Sequence, residues 1–209
     1  MSPRQEAAAA VKVFPVILEV RAVVAALGTR ERVAALSRLA RRAAQRSAVR
    51  TGGGPGGLHK DDDGVPRPEN GFFWSVTHKP RYVGGVVAPH PVGIDIEEIR
   101  PRSPGLFDKV ATEEEWALAG GQGELAFFRY WTAKEAVLKA AGVGLAGLSR
   151  CRVTAVHDPR HMTVWFDDRR WSVSQRMLPG HVAAVTAPAG AADWEVDQLP
   201  PEAGACSPP

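Results

Sequence analysis

Cysteine is scarce in this sequence: Cys151 and Cys206 are the whole complement among 209 residues. No CxxC pair occurs, so neither a zinc site nor a disulfide framework is suggested, and free thiols suit a reducing compartment. A long hydrophobic run is missing too. The stretch AAAAVKVFPVILEVRAVVAALG is apolar, but Lys12, Glu19 and Arg21 interrupt it. It therefore falls short of the ~18 uninterrupted apolar residues of a spanning helix. Glu6 and Lys12 sit where the apolar part of a secretory signal would build up, so a cytoplasmic protein with no membrane association is expected. Neither sign of charge dominates: 26 Lys and Arg stand against 23 Asp and Glu, for a net charge of +3 and a pI near 9.1. That balance favours anionic ligands or partners but not dedicated nucleic-acid binding, and no helix-turn-helix or zinc-finger pattern appears.

What is present reads as an α+β chain. Val11 to Val20 is rich in Val and Ile and reads as a strand, with Pro15 arguing for an edge position. Thr29 is a plausible N-cap for a helix through RERVAALSRLARRAAQRSAV, in which Val33, Leu36, Ala40 and Ala43 recur at helical spacing. Arg38, Arg41, Arg42 and Arg46 load the other side, read here as a solvated basic face rather than an anion-binding flank. Thr51 to Asn70 is loop material, rich in glycine and proline. GFFWSV, RYVGGVVA and PVGIDIEEI follow as three strands. A broken helical stretch ends at Gly120 and Gly121, and a longer helix runs from Glu124 to Ala141, closed by Gly142 and Gly144. Four more strands lead to an Ala-, Pro- and Gly-rich tail. The element order echoes itself. An N-terminal half (residues 1–90) and a C-terminal half (91–187) are expected, with a disordered tail from 188 to 209.

Two segments carry chemistry. In GIDIEE, side chains alternate across the strand, so Asp95 and Glu97 share one face and Ile94 and Ile96 the other. The carboxylates are spaced about 7 Å apart at ~3.3 Å rise per residue, which suits two side chains converging on one cation. With oxygen ligands alone, magnesium is the natural candidate. A D-x-E pair on a merely exposed strand face is common, so this signal is weak by itself. In WTAKEAVLK, Trp131, Glu135 and Lys139 fall at i, i+4 and i+8 and share a side of the helix. A third carboxylate with a lysine one turn beyond it suits a metal–pyrophosphate site. The plain alternative is a surface i,i+4 salt bridge.

Together the segments are far more specific. VGIDIE, followed after about thirty-five residues by FRYWTAKEAVLKAAGVGL, resembles the 4′-phosphopantetheinyl transferases of the surfactin-type group. Their signature is G-x-D-x-E and then W-[ST]-x-K-E-[AS]-x-x-K. Gly93, Asp95, Glu97, Trp131, Thr132, Lys134, Glu135, Ala136 and Lys139 all match it. Ser75, Thr77 and His78 resemble the family's S-x-S-H motif, with Thr77 in place of the usual serine. Gly64 to Pro68 resembles its G-[KR]-P segment, with Val65 in place of the basic residue. The resemblance runs from about Gly64 to Val185.

The resemblance implies a pseudo-duplicated α+β fold with two similar halves and the active site in the cleft between them. It implies transfer of the 4′-phosphopantetheine group of coenzyme A to a serine of an acyl or peptidyl carrier protein, releasing 3′,5′-ADP. Asp95, Glu97 and Glu135 would hold Mg2+, and Glu135 would accept the serine proton. Lys139 would stabilise the leaving phosphate, and Lys134 would help hold the pyrophosphate. Thr77 and His78 would bind coenzyme A, His78 at its 3′-phosphate. A monomer acting in fatty-acid, polyketide or nonribosomal-peptide biosynthesis is expected. The rival readings are a magnesium-dependent phosphoesterase or nuclease using the same three carboxylates and a non-catalytic binding module that keeps the fold.

Overall fold

The structure is a computed structural model, and it describes residues 11–198. Its chain order is β1 (Val16–Glu19), α1 (Ala22–Ala25), α2 (Thr29–Thr51), β2 (Phe73–His78), β3 (Tyr82–Ala88) and β4 (Ile94–Glu98). Then come α3 (Phe107–Val110), α4 (Glu113–Leu118), α5 (Glu124–Ala141), β5 (Arg152–Asp158), β6 (His161–Phe166), β7 (Arg169–Leu178), β8 (His181–Thr186) and β9 (Glu195–Gln198). The strands form two sheets, ordered β2-β3-β1-β9 and β4-β8-β7-β6-β5. All pairings are antiparallel except β1 with β9. None of the helices among the described residues is long and apolar enough to cross a membrane.

Alternation along the strands builds the layers. Val16 and Leu18 of β1 meet Leu36, Ala40 and Ala43 of α2 on one face of the first sheet. Ile17, between them, points the other way and joins Ile96 of β4 and Ala183 of β8. Ile94 and Val185 extend that seam to Val86 of β3. Val182 and Ala184 then face Ala133, Ala136 and Val137 of α5. The order α2, first sheet, second sheet, α5 follows directly from period-two side-chain placement.

Close approach of helix to sheet needs glycine at two places. A Cβ on Gly85 of β3 would lie 2.2 Å from the Ala44 nitrogen of α2, and one on Gly93, just before β4, would lie 1.9 Å from the Ala136 carbonyl of α5. Nothing larger fits. Helix α5 ends in a Schellman turn at Gly142 (φ 72°), where the Val143 N–H donates to the Leu138 carbonyl.

Several sequence expectations need correction. Strand β1 is interior, because β9 pairs with its free side; Pro15 precedes the strand, and its carbonyl accepts from the Glu195 N–H. The disordered tail expected from residue 188 is ordered up to Gln198. Arg46 pairs with Asp197 at 2.9 Å and with Glu195, and Arg50 pairs with Asp193 at 3.0 Å. Residues 199–209 of that expected tail lie outside the described residues. Helix α2 is capped by Gly28 with no side-chain bond, and Thr29 is its first residue. Val33 is 51% exposed, so the buried stripe is Ala35, Leu36, Ala40, Ala43, Ala44 and Ser47 instead. Cys151 is a free, buried thiol, pushed up to about 12 first by burial; Cys206 falls beyond the described chain.

Candidate active site

Strand β4 is the edge of the second sheet beside β2, the edge of the first. Its outward amides find partners in side chains rather than in another strand. The Ile94 N–H donates to Ser75 Oγ at 3.2 Å, and the Ile96 N–H donates to Thr77 Oγ1 at 3.3 Å. Hydroxyls two residues apart on β2 thus match amides two residues apart on β4. The Ser-x-Thr spacing is a device for joining two sheet edges. It holds for threonine as well as serine, which accounts for Thr77 at this position.

The same junction aims the acids. With Ile94 and Ile96 buried in the seam between sheets, Asp95 and Glu97 face α5. Thr77 Oγ1 also donates to Asp95 Oδ1 at 3.1 Å. Lys139 Nζ donates to Asp95 Oδ1 at 2.7 Å and to the Ile94 carbonyl at 3.2 Å. The other Asp95 oxygen, Oδ2, is buried with no hydrogen-bond partner. Glu97 accepts from the Trp131 indole N–H at 3.1 Å through one oxygen and pairs with Lys79 at 2.8 Å through the other.

Asp95, Glu97, Trp131, Glu135 and Lys139 line one cavity of about 410 Å3, together with Thr77 and His78. Its remaining wall carries Ser37 and Arg41 of α2, Lys60 of the connecting loop, Val76, Lys79 and Leu145. Six of the seven residues assigned to the site from sequence therefore meet here. Charge is crowded. Burial, then the nearby Asp95 and Glu97, push Glu135 from 4.5 up to about 7, with Lys139 opposing. Burial first, then Arg41 and Lys139, lower Lys60. His78 is lowered by its desolvation, then by Lys139, Lys79 and Lys60, although the residue as a whole is exposed. Among the described residues, no three His, Cys, Asp or Glu side chains stand close enough to hold a metal ion as they are. Two of the three acids are engaged by lysines instead.

The seventh residue is a correction. Lys134 is not in the cavity. Its side chain is 1% exposed, and its ammonium donates to Glu115 Oε1 at 2.6 Å and to the Val110 carbonyl at 2.6 Å. Neighbours on an α-helix point about 100° apart. A helix that aims Glu135 and Lys139 into the cavity must aim Lys134 elsewhere. Glu115 is the residue that the sequence reading missed here. It completes the α4 capping box through the Thr112 N–H (3.0 Å) and caps the edge strand β5 through the Val153 N–H (2.7 Å). Its signal was available in the sequence as the T-x-x-E spacing of Thr112 and Glu115.

Arg41, Lys60 and Lys79 were also missed as site residues. Arg41 sits in the arginine-rich face read as solvated, yet it bends toward the loop and donates to the Leu58 carbonyl. Lys79 directly follows His78, but its pairing with Glu97 depends on how two sheets meet.

Comparison with known proteins gives a result for the same region. Residues 91–186 match the family model described as the 4′-phosphopantetheinyl transferase superfamily. The chain is 34% identical over 90 residues to 4′-phosphopantetheinyl transferase psf-1 of Bacillus pumilus, covering 41% of this chain and 39% of that protein. It is 31% identical over 92 residues to 4′-phosphopantetheinyl transferase gsp of Aneurinibacillus migulanus (42% and 39% covered). It is 30% identical over 129 residues to 4′-phosphopantetheinyl transferase HetI of Nostoc sp. (58% and 54% covered). The matches thus span about two fifths to one half of these relatives. The family-model match takes in Asp95 and Glu97 of β4 and all of α5, so over residues 91–186, a little under half of its length, this chain is similar to the 4′-phosphopantetheinyl transferase superfamily.

Proposed function

We propose that the protein transfers the 4′-phosphopantetheine group of coenzyme A to a serine of an acyl or peptidyl carrier protein, releasing 3′,5′-ADP. The observation that carries this reading is one cavity in which three carboxylates stand beside Lys139 while Arg41, Lys60 and His78 form a basic wall. A pyrophosphate with a further phosphate needs that division of labour. The two-halved reading, with the site in the cleft between halves, draws support from an echo: each long helix packs on its sheet through one obligatory glycine, Gly85 for α2 and Gly93 for α5.

The donor set fits magnesium. All three candidate ligands are carboxylates, and Asp95 Oδ2 is buried without a partner, a cost that a hard cation would remove. Held by Asp95, Glu97 and Glu135, magnesium would supply charge neutralisation for the pyrophosphate. The chain's own groups do the rest. Glu135, partly buried, takes the proton of the carrier serine as its oxygen bonds to the β-phosphorus. The bond from that phosphorus to the bridging oxygen breaks, and 3′,5′-ADP departs with the electron pair. Lys139, anchored on the Ile94 carbonyl, meets the growing negative charge on the leaving phosphate. Burial, then Lys139 and Lys79, hold the His78 pKa down in the free protein, and a phosphate dianion beside the ring works in the opposite direction, favouring its protonated form. The basic wall suits an acidic carrier, and a cytoplasmic monomer is the expected state.

The test is incubation with coenzyme A, Mg2+ and a panel of apo carriers, read by intact mass. Transfer adds one phosphopantetheine to the carrier serine. Asp95→Ala and Glu135→Ala abolish transfer while remaining folded. Lys139→Met lowers kcat by about 10²–10³ and changes KM less. Phosphate release from coenzyme A without carrier labelling would favour the phosphoesterase reading and refute this one.

A further inference from the structure

Lys79 is the one cavity cation on a tight turn rather than on a helix or long loop. Its own N–H donates to the Tyr82 carbonyl at 2.7 Å, closing the β2–β3 turn through Pro80 and Arg81. The backbone is therefore fixed while the long side chain reaches across to the other sheet. There it meets Glu97 Oε2 at 2.8 Å; the Lys79 side chain is 32% exposed and that of Glu97 only 12%. Glu97 cannot turn away, because Trp131 holds its other oxygen.

Lys139 differs in kind. It rises from α5, touches two acceptors, and is held on Asp95 by the helix behind it. The two side chains are about equally exposed, at 32% and 30%, but Lys79 rests on a single carboxylate oxygen and on no backbone carbonyl. Of the two ammoniums neutralising the acids, it is the one free to leave. Glu135 lines the same cavity with no ion pair among the described residues, and Asp95 Oδ2 is buried without a partner. Those oxygens are where a divalent ion gains contacts, and the oxygen under Lys79 is one it must share.

We propose that Lys79 is a built-in counter-cation that competes with a divalent metal ion for Glu97. The lysine satisfies the buried carboxylate in the metal-free protein and swings into solvent, or onto the incoming phosphates, when the ion enters. Its charge therefore sets the ion concentration at which the site fills. This rests on the reading of Asp95, Glu97 and Glu135 as cation ligands.

The test is Mn2+ binding to the full chain without substrates, measured by electron paramagnetic resonance of the free ion. Lys79→Met keeps the stem and removes the charge. It tightens Mn2+ binding by roughly tenfold, the size expected for losing a partly screened competitor beside the ion. Lys79→Arg stays within a fewfold of wild type. In a Glu97→Gln background the Lys79→Met gain disappears. Unchanged or weaker Mn2+ binding by Lys79→Met overturns the inference, as does the same gain in the Glu97→Gln background. If wild type and Asp95→Asn bind Mn2+ equally, or neither binds, the cation-ligand reading itself fails, and the inference falls with it. Lys79 lies in the β2–β3 turn, and a melting curve for each variant verifies the fold.

Discussion

Replacing Lys134 with methionine separates the two roles open to this lysine. Its ammonium and the Glu115 carboxylate are 1% and 4% exposed and 2.6 Å apart. Burial lowers the Lys134 pKa, and the hydrogen bond that Lys134 donates to Glu115 works against that shift. Lys134→Met leaves Glu115 charged and buried, with the Thr112 and Val153 amides and a longer contact from Arg152 at 3.4 Å. Removing one partner of a buried pair costs about 3–5 kcal/mol. For a chain of this size each kcal/mol shifts Tm by about 2–4 °C, so Tm should fall by roughly 6–20 °C. Glu115→Gln should fall at least as far, because it strips the ammonium and weakens the cap on the β5 edge together. The double variant should lose less than the sum of the singles, by about 0.5–3 kcal/mol, because each single change strands the other charge. Circular dichroism melts and urea titrations measure all four proteins. At a temperature where the variant is folded, its KM for coenzyme A should stay close to wild type. A Lys134→Met protein that melts normally but binds coenzyme A poorly would refute the structural role and restore the pyrophosphate role.

Two further outcomes follow from the same geometry. Glu135, raised from 4.5 to about 7 in the folded state, holds its proton more tightly folded than unfolded. Its contribution to stability is therefore complete below about pH 4.5 and lost as pH rises through 7. Without divalent ions, wild type should lose urea resistance relative to Glu135→Gln between those values, and a difference that does not change with pH would contradict the assignment. Gly93→Ala places a Cβ 1.9 Å from the Ala136 carbonyl, so β4 must part from α5; loss of cooperative unfolding or several kcal/mol in urea is expected, and a normal midpoint would show that the helix can shift.

Whatever depends on neighbours along the chain was legible in one dimension. Alternation in GIDIEE placed Asp95 and Glu97 together, and the i, i+4, i+8 spacing put Trp131, Glu135 and Lys139 on one helix side. Gly142 marked the helix end through its backbone freedom. Helix geometry also contained the correction for Lys134, since a residue adjacent to Glu135 cannot share its direction. Tertiary structure decided what distant segments do to one another. That Ser75 and Thr77 satisfy the β4 amides depends on two sheet edges meeting. That Glu115 neutralises Lys134 depends on α4 and β5 closing over α5. That β1 is interior depends on a strand some 180 residues away in sequence. Arg41 and Lys79 look like ordinary surface cations in one dimension. Burial and opposing charge, which act through space rather than along the chain, turned one toward the cavity wall and the other onto Glu97.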